Sequence, residues 1–266
     1  MPPPLAVYRG RVGETTTPEQ APEPATADDG GHASSGPREV GRTIVRGFGE
    51  VLITLGVLLL LMCVYQLWWT NVTSAAAISV ARDEITQGWR DAGPQPSGST
   101  SVAITPPVLG AGFALLYIPR MHDKVWGLPV SQGTSKSVLA QGAGHYAGTA
   151  MPGQLGNFAI AAHRSSHDEP FAHIDDLVVG DKVYVETQTT WYVYTLTHDD
   201  PSLTPTDIWV VDPVPGKTGV APTEKLLTMT TCTPRYGSTG RWAWWGTLTA
   251  SSPTTEAHPD GIDPAT

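Results

Sequence analysis

One stretch of the chain limits what it can fold into before anything else is considered. From Val51 to Trp69 the sequence reads VLITLGVLLLLMCVYQLWW, with Thr54 and Gln66 as its clearly polar residues and no charge. About 20 apolar residues rising 1.5 Å each cross the hydrocarbon core of a bilayer. Arg38, Arg42 and Arg46 stand just before the run, and the first charge after it is Arg82. The positive flank faces the cytoplasm, so the N-terminus is expected inside and the remainder outside. Tyr65, Trp68 and Trp69 gather at the outer end, as an interfacial aromatic belt does. Ser74 to Ala77 offers the small residues of a signal-peptide cleavage site. Yet the run exceeds the ~7–15-residue core of a signal peptide, and about fifty residues precede it. A single-pass, uncleaved anchor is the expectation.

Composition then has to be read by region. Residues 1–40 are rich in Pro, Gly, Ala, Ser, Thr and acid, with little large apolar material beyond Leu5, Val7 and Tyr8. Such a segment buries too little surface to offset its ordering and is expected as a disordered cytoplasmic tail. Residues 41–70 form the anchor and its flank, and 71–110 a stalk. In the stalk a helix over 71–92 gives way to the breaker-rich GPQPSGSTS, 93–101. The folded domain is expected over 111–250, followed by a frayed, Pro-rich, acidic end at 251–266. A net charge of -9, with no basic cluster, argues against a nucleic-acid binder.

Within 111–250 short strand signals recur between turn residues. They cover Phe113–Ile118, Asn157–Ala162, Lys182–Thr187, Thr190–Leu196, Ile208–Val211, Lys225–Thr231 and Arg241–Ala250. The link Gln188-Thr189 reads as a hairpin turn, and the helical signals, such as Pro170–Leu177, are few and short. Many short strands indicate a closed barrel or a sandwich.

Two cysteines are present, Cys63 and Cys232. Cys63 lies inside the apolar run, where it cannot pair with a residue of an external domain. Cys232 is therefore effectively alone, and a lone thiol in an exported domain is a reactive group, an intermolecular link or a small buried hydrophobe. Its setting favours reactivity: the strand LTMTT runs into Cys232 and Thr233-Pro234 breaks it at once. Nine residues on, Arg241 opens the next strand. A cation near a thiol favours the thiolate, and a guanidinium can donate to a developing oxyanion. Of the eight histidines, His163 ends the apolar strand GNFAIAAH, a position from which an imidazole can be aimed into a cleft. No CxxC or HExxH indicates zinc, and neither a metal nor a cofactor is expected. His198-Asp199-Asp200 reads as a solvated turn.

GNFAIAAHR (156–164) and TMTTCTPRYGSTGR (228–241) together resemble the sortase family, whose signatures are GN-x-x-x-x-GH and TLxTC followed by Arg. IPR (118–120), GHYAGTAMPGQ (144–154), Pro170-Phe171 and LVVGDKVYVET (177–187) agree, so the likeness covers about 111–250. The GHYAGTAMPG and TCTP stretches are most similar to class E sortases of high-GC Gram-positive bacteria. Ala162, Met229 and Trp242 depart from the family's usual Gly, Leu and aliphatic residue, and are expected as packing changes.

The resemblance implies a mainly β fold, a closed sortase barrel of about eight strands with short helices, beside the N-terminal transmembrane helix. It implies catalysis by His163, Cys232 and Arg241. The thiolate of Cys232 would attack the Thr carbonyl of an LAxTG- or LPxTG-like C-terminal signal. His163 would protonate the leaving glycine amine and later deprotonate the incoming one, and Arg241 would hold the oxyanion. The partners would be secreted proteins bearing the signal and a lipid-linked peptidoglycan precursor carrying the acceptor amine. Tyr146 and Thr231 are the candidate substrate contacts. The rivals are a different cysteine enzyme, a non-catalytic membrane-anchored binding domain and a pilin-polymerising sortase.

Overall fold

The computed structural model describes residues 37–93, 105–256 and 258–262. Residues 1–36 of the expected 1–40 tail, 94–104 with all but the first residue of the expected 93–101 linker, 263–266 and the side chains of Trp68 and Trp69 lie outside them.

Helix α1 is Pro37–Ala92. Its segment Gly41–Gln66, 26 residues, is long and apolar enough to cross a membrane; at 1.5 Å per residue that is about 39 Å. Its large apolar side chains, Leu52, Leu55, Leu58 and Tyr65 among them, are exposed. The Thr54 hydroxyl donates to the Glu50 carbonyl at 2.8 Å, so this polar group is satisfied within the helix.

Farther along, the burial pattern changes. Ile78, Ala81 and Ile85 are buried, a spacing of three and four that makes one helical stripe. Ile78 joins the barrel's interior core, while Ile85 and Trp89 pack with Leu115, Tyr117, Tyr184, Trp191 and Val193. Arg82 adds two bonds, from Nε to the Gly127 carbonyl at 2.6 Å and from Nη2 to the Trp126 carbonyl at 2.7 Å. The helix expected over 71–92 is present, but this part of the expected stalk is packed onto the domain that follows it.

Eight strands close into a barrel: β1 Gly112–Tyr117, β2 Trp126–Gln132, β3 Ala143–His145, β4 Gly156–Ala161, β5 Lys182–Thr187, β6 Thr190–Leu203, β7 Lys225–Thr233 and β8 Gly240–Pro253. Their order around the barrel is β1-β2-β3-β4-β7-β8-β6-β5, with β1 closing on β5. The pairs β2–β3 and β4–β7 are parallel and the others antiparallel. Closure removes the exposed edges that an open sheet would present. The interior is filled by Leu116, Leu128, Phe158, Ile160, Tyr194, Leu227, Met229 and Trp244, among others. Trp191 to Tyr194 is buried on both faces, because Ile85 and Trp89 of α1, with Ile262, pack in one cluster with residues on the outside of β1, β5 and β6. That is why WYVY reads as a continuous apolar run instead of an alternating one.

Several expectations change. Ile208–Val211 is a 3-10 turn, not a strand. The Val210 carbonyl is taken by the side chains of Asn157, Thr228 and Trp245, which fixes the segment as a turn across the sheet. The helical signal at Pro170–Leu177 reduces to one 3-10 turn, Ile174–Asp176. Strands β2 and β3 carried no recognised signal. Gly127 and Pro129 interrupt β2, and β3 has three residues. Beyond 250, β8 runs on to Pro253 and Ile262 is buried beside Tyr184 and Trp191, so part of the expected frayed end is packed. His198, Asp199 and Asp200 lie within β6, where Asp199 accepts from Trp242 Nε1 at 2.9 Å.

Candidate active site

Side chains alternate between the two faces of a strand, and three neighbouring strands show which face is which. In β7, Leu227 and Met229 are interior core, so Thr228, Thr230 and Cys232 face outward. In β4, Phe158, Ile160 and Ala162 point inward, so Asn157, Ala159 and Ala161 face outward, and His163 follows in the same phase. In β8, Trp244 points inward and Ala243 and Trp245 pack in an outer cluster, so Arg241 faces outward.

Register then aligns the three residues. Cys232 pairs directly with Arg241. On its other side the parallel ladder ends at Ala161 opposite Thr230, and the backbone continues it from Ala162 N to the Thr230 carbonyl at 3.2 Å. Carried two residues past that pair, the same register sets the backbone of His163 level with Cys232. Adjacent strands lie about 4.8 Å apart. By that register His163, two residues past the end of β4, falls in line with Cys232 on β7 and Arg241 on β8, and this line on the outer face is the candidate row.

The members of the row differ in their surroundings. The Cys232 thiol is partly exposed and free. His163 is half-buried, and its Nε2 is buried without a hydrogen-bond partner in the protein. Burial pushes the His163 pKa down, and the neighbouring His167 acts in the same direction. Desolvation disfavours the charged ring, so the resting imidazole is held toward its neutral form. The Arg241 guanidinium donates to the carbonyls of Ser238 and Gly240 at 3.0 and 2.8 Å, which holds it over the β7–β8 turn.

Tyr146 lies on the same outer face, its hydroxyl 2.9 Å from the Thr230 hydroxyl, one outward position before Cys232. Thr231 is placed differently. It shares the inward phase of Met229, is buried, and donates to the Ala162 carbonyl at 2.8 Å. It ties the end of β7 to the residue before His163 and points away from the outer face.

Several residues around the row were not singled out from sequence. Asn157 and Thr228 bond each other at 2.8 Å and together hold the 208–212 turn over the sheet. His145 is fully buried, within 2.7 Å of Gln132 Oε1 and 2.8 Å of the Thr149 hydroxyl, and so fixes the turn that carries Tyr146. Arg164 is 6% exposed, paired with Asp175 at 3.3 Å and set 4.9 Å over the Trp242 ring. Ala162 and Met229 are interior packing and Trp242 lies against that core, which accounts for all three departures from the family pattern.

The sortase-domain family profile matches residues 116–249. Sortase SrtE1 of Streptomyces coelicolor is 38% identical over 253 residues, spanning 92% of this chain and 69% of that protein. The structure of sortase E from Streptomyces avermitilis superposes with a TM-score of 0.52 at 40% identity, covering 58% of this chain and 98% of that one. The SrtA sortase of Actinomyces oris superposes with a TM-score of 0.58 at 31% identity, covering 62% of this chain and 97% of that one. The chain belongs to the sortase family, whose members are cysteine transpeptidases. Within that family its likeness is to the class E sortases.

Proposed function

We propose that this sortase cleaves a C-terminal LAxTG- or LPxTG-like sorting signal between Thr and Gly, and passes the released acyl group to an amine of a lipid-linked peptidoglycan precursor. The row of His163, Cys232 and Arg241 across three strands carries this reading. The Cys232 proton passes to the His163 imidazole, and the thiolate attacks the Thr carbonyl. As the C–N bond breaks, the imidazolium returns the proton to the glycine amine and a thioester remains. An incoming amine then loses its proton to His163, attacks the thioester and expels the thiolate. Arg241 donates to the carbonyl oxygen as negative charge develops on it. Tyr146, on the same outer face, contacts the signal near its second residue. Thr231 acts from behind, by fixing the strand end that bears His163. The apolar helix segment 41–66 serves as a single-pass anchor with its N-terminus cytoplasmic, which leaves the barrel on the side where exported clients arrive.

The test is transpeptidation by the full chain in detergent, with LAxTG and LPxTG peptides, with and without a glycine amine. Product that depends on the amine is expected from wild type and none from Cys232→Ala. Equal product from the two proteins would end the proposal.

A further inference from the structure

The segment that follows β4 carries more restraint than a connecting loop requires. His167, Asp168 and Glu169 all have positive φ, at 53°, 62° and 52°. This left-handed region is uncommon for a single residue other than glycine, and three in succession persist only where the surroundings over-determine them. The surroundings here do so. Lys124 Nζ donates to the Asp168 carbonyl at 3.0 Å and pairs with its carboxylate at 3.4 Å. Arg235, in the β7–β8 turn, pairs with Glu169 at 3.0 Å. The backbone N–H groups of Phe171 and Ala172 close onto the carbonyls of His163 and Glu169 at 2.8 and 2.9 Å.

What this strained strap achieves is a ring contact. The imidazole of His167 stacks on that of His163, with centroids 4.6 Å apart and planes 19° from parallel. His167 Nδ1 lies 3.1 Å from the Ser166 hydroxyl, which steadies the ring. His163 itself has a buried nitrogen with no partner, so hydrogen bonding at that atom does not set its orientation. The charged groups nearby on the strap are engaged elsewhere: Arg164 with Asp175, Asp168 with Lys124, and Glu169 with Arg235. Across the strands lie Cys232 and Arg241, and Arg241 is held by its own turn. On the strap, His167 is thus the titratable group set against the His163 ring.

We propose that His167 is a positioning residue for transpeptidation, pressed against His163 by the strained strap so that the imidazole is held facing Cys232. The inference rests on His163 being the proton carrier. Stacking at 4.6 Å fixes the plane of the ring, and His167 adds to burial in holding the His163 pKa down. The strap is also tied through Arg235 to the turn on which the Arg241 guanidinium rests, so both ends of the row share one restraint.

Three variants of the full chain test it through kcat, KM and the pH profile of kcat/KM. His163→Ala is expected to lack transpeptidation; activity in that variant would remove the functional reading and this inference together. With His163→Ala inactive, His167→Ala is expected to lose about 10-fold in kcat with KM little changed, the scale of a modest misplacement of a reacting group. His167→Phe keeps a ring to stack and discards the charge. It is expected to recover most of kcat, while the pH limb belonging to His163 moves to higher pH. A His167→Ala enzyme with wild-type kcat would overturn the proposal. So would one that is less heat-stable but has an unmoved pH profile in both His167 variants, because that is the result of a merely structural residue.

Discussion

The docking of α1 onto the barrel can be tested with a pair of substitutions that the structure sets against each other. Ile85 is 6% exposed in the outer cluster with Leu115, Tyr117, Tyr184 and Trp191. Gly112, at the start of β1, faces it so closely that an added Cβ would fall 2.5 Å from both Cγ1 and Cδ1 of Ile85. Truncating a buried Ile to Ala costs about 2–5 kcal/mol. Ile85 lies at the edge of its cluster, so the lower half of that range is expected. Gly112→Ala in the wild-type background overpacks the contact, at about 1–3 kcal/mol, offset by the ~0.5–1 kcal/mol gained by removing glycine from a strand. With Ile85→Ala already present the obstruction is gone, and the nearest remaining atom is Ser131 Oγ at 3.5 Å. Gly112→Ala should then be neutral or mildly stabilising, which leaves a coupling of about 1–3 kcal/mol between sites that are independent if the helix is not docked. The assay is urea unfolding of a soluble fragment beginning at residue 73, followed by tryptophan fluorescence. Additivity within about 0.5 kcal/mol, the spread expected of separate sites, would refute the reasoning. So would an Ile85→Ala change below that size.

Two further outcomes follow from the site. Thr231→Val keeps the side chain's shape and removes its bond to the Ala162 carbonyl; about 1–2 kcal/mol of stability should be lost, and steady-state kinetics should show a fall in kcat larger than any change in KM. An unchanged kcat would mean that Thr231 does not position His163. For His145, burial pushes the folded-state pKa below the usual value, against a smaller opposite effect of the Ala150 carbonyl. Above the unfolded pKa of about 6.5 both states are neutral, so its contribution to stability is full. As pH falls below that value the unfolded chain takes up a proton that the folded one refuses. Stability should therefore decline toward the lowered folded pKa. Urea midpoints measured from pH 7 down to about 5 should show a shallower decline for His145→Gln than for wild type.

Much of the fold was legible because strand signals are local. Lys182–Thr187 alternates, and Thr190–Leu196 is rich in aromatic and β-branched residues, so both stood out, with the hairpin between them. Strand β2 did not, because Gly127 and Pro129 mask it and its pairing with β1 and β3 is what makes it a strand. Ile208–Val211 carried a strand's composition, and three distant side chains turn its backbone into a 3-10 turn instead. The row was partly legible too. Cys232 and Arg241 flank one short turn, so their nearness follows from a hairpin. His163 is far away in sequence and is brought toward Cys232 by the parallel β4–β7 ladder, which no local pattern encodes.

By itself the sequence determined the apolar helix, the strand-rich domain and the residue types that can run thiol chemistry, since each rests on composition or spacing along one segment. Tertiary structure alone decided that Thr231 lies on the inner side while Tyr146 shares the outer face with Cys232, because strand phase has meaning only once an interior exists. It alone docked Ile78, Ala81 and Ile85 on the barrel, since the same stripe on a free helix would face water. And it alone set His167 against His163, through a strap whose left-handed residues are held by Lys124 and Arg235, both distant in the chain.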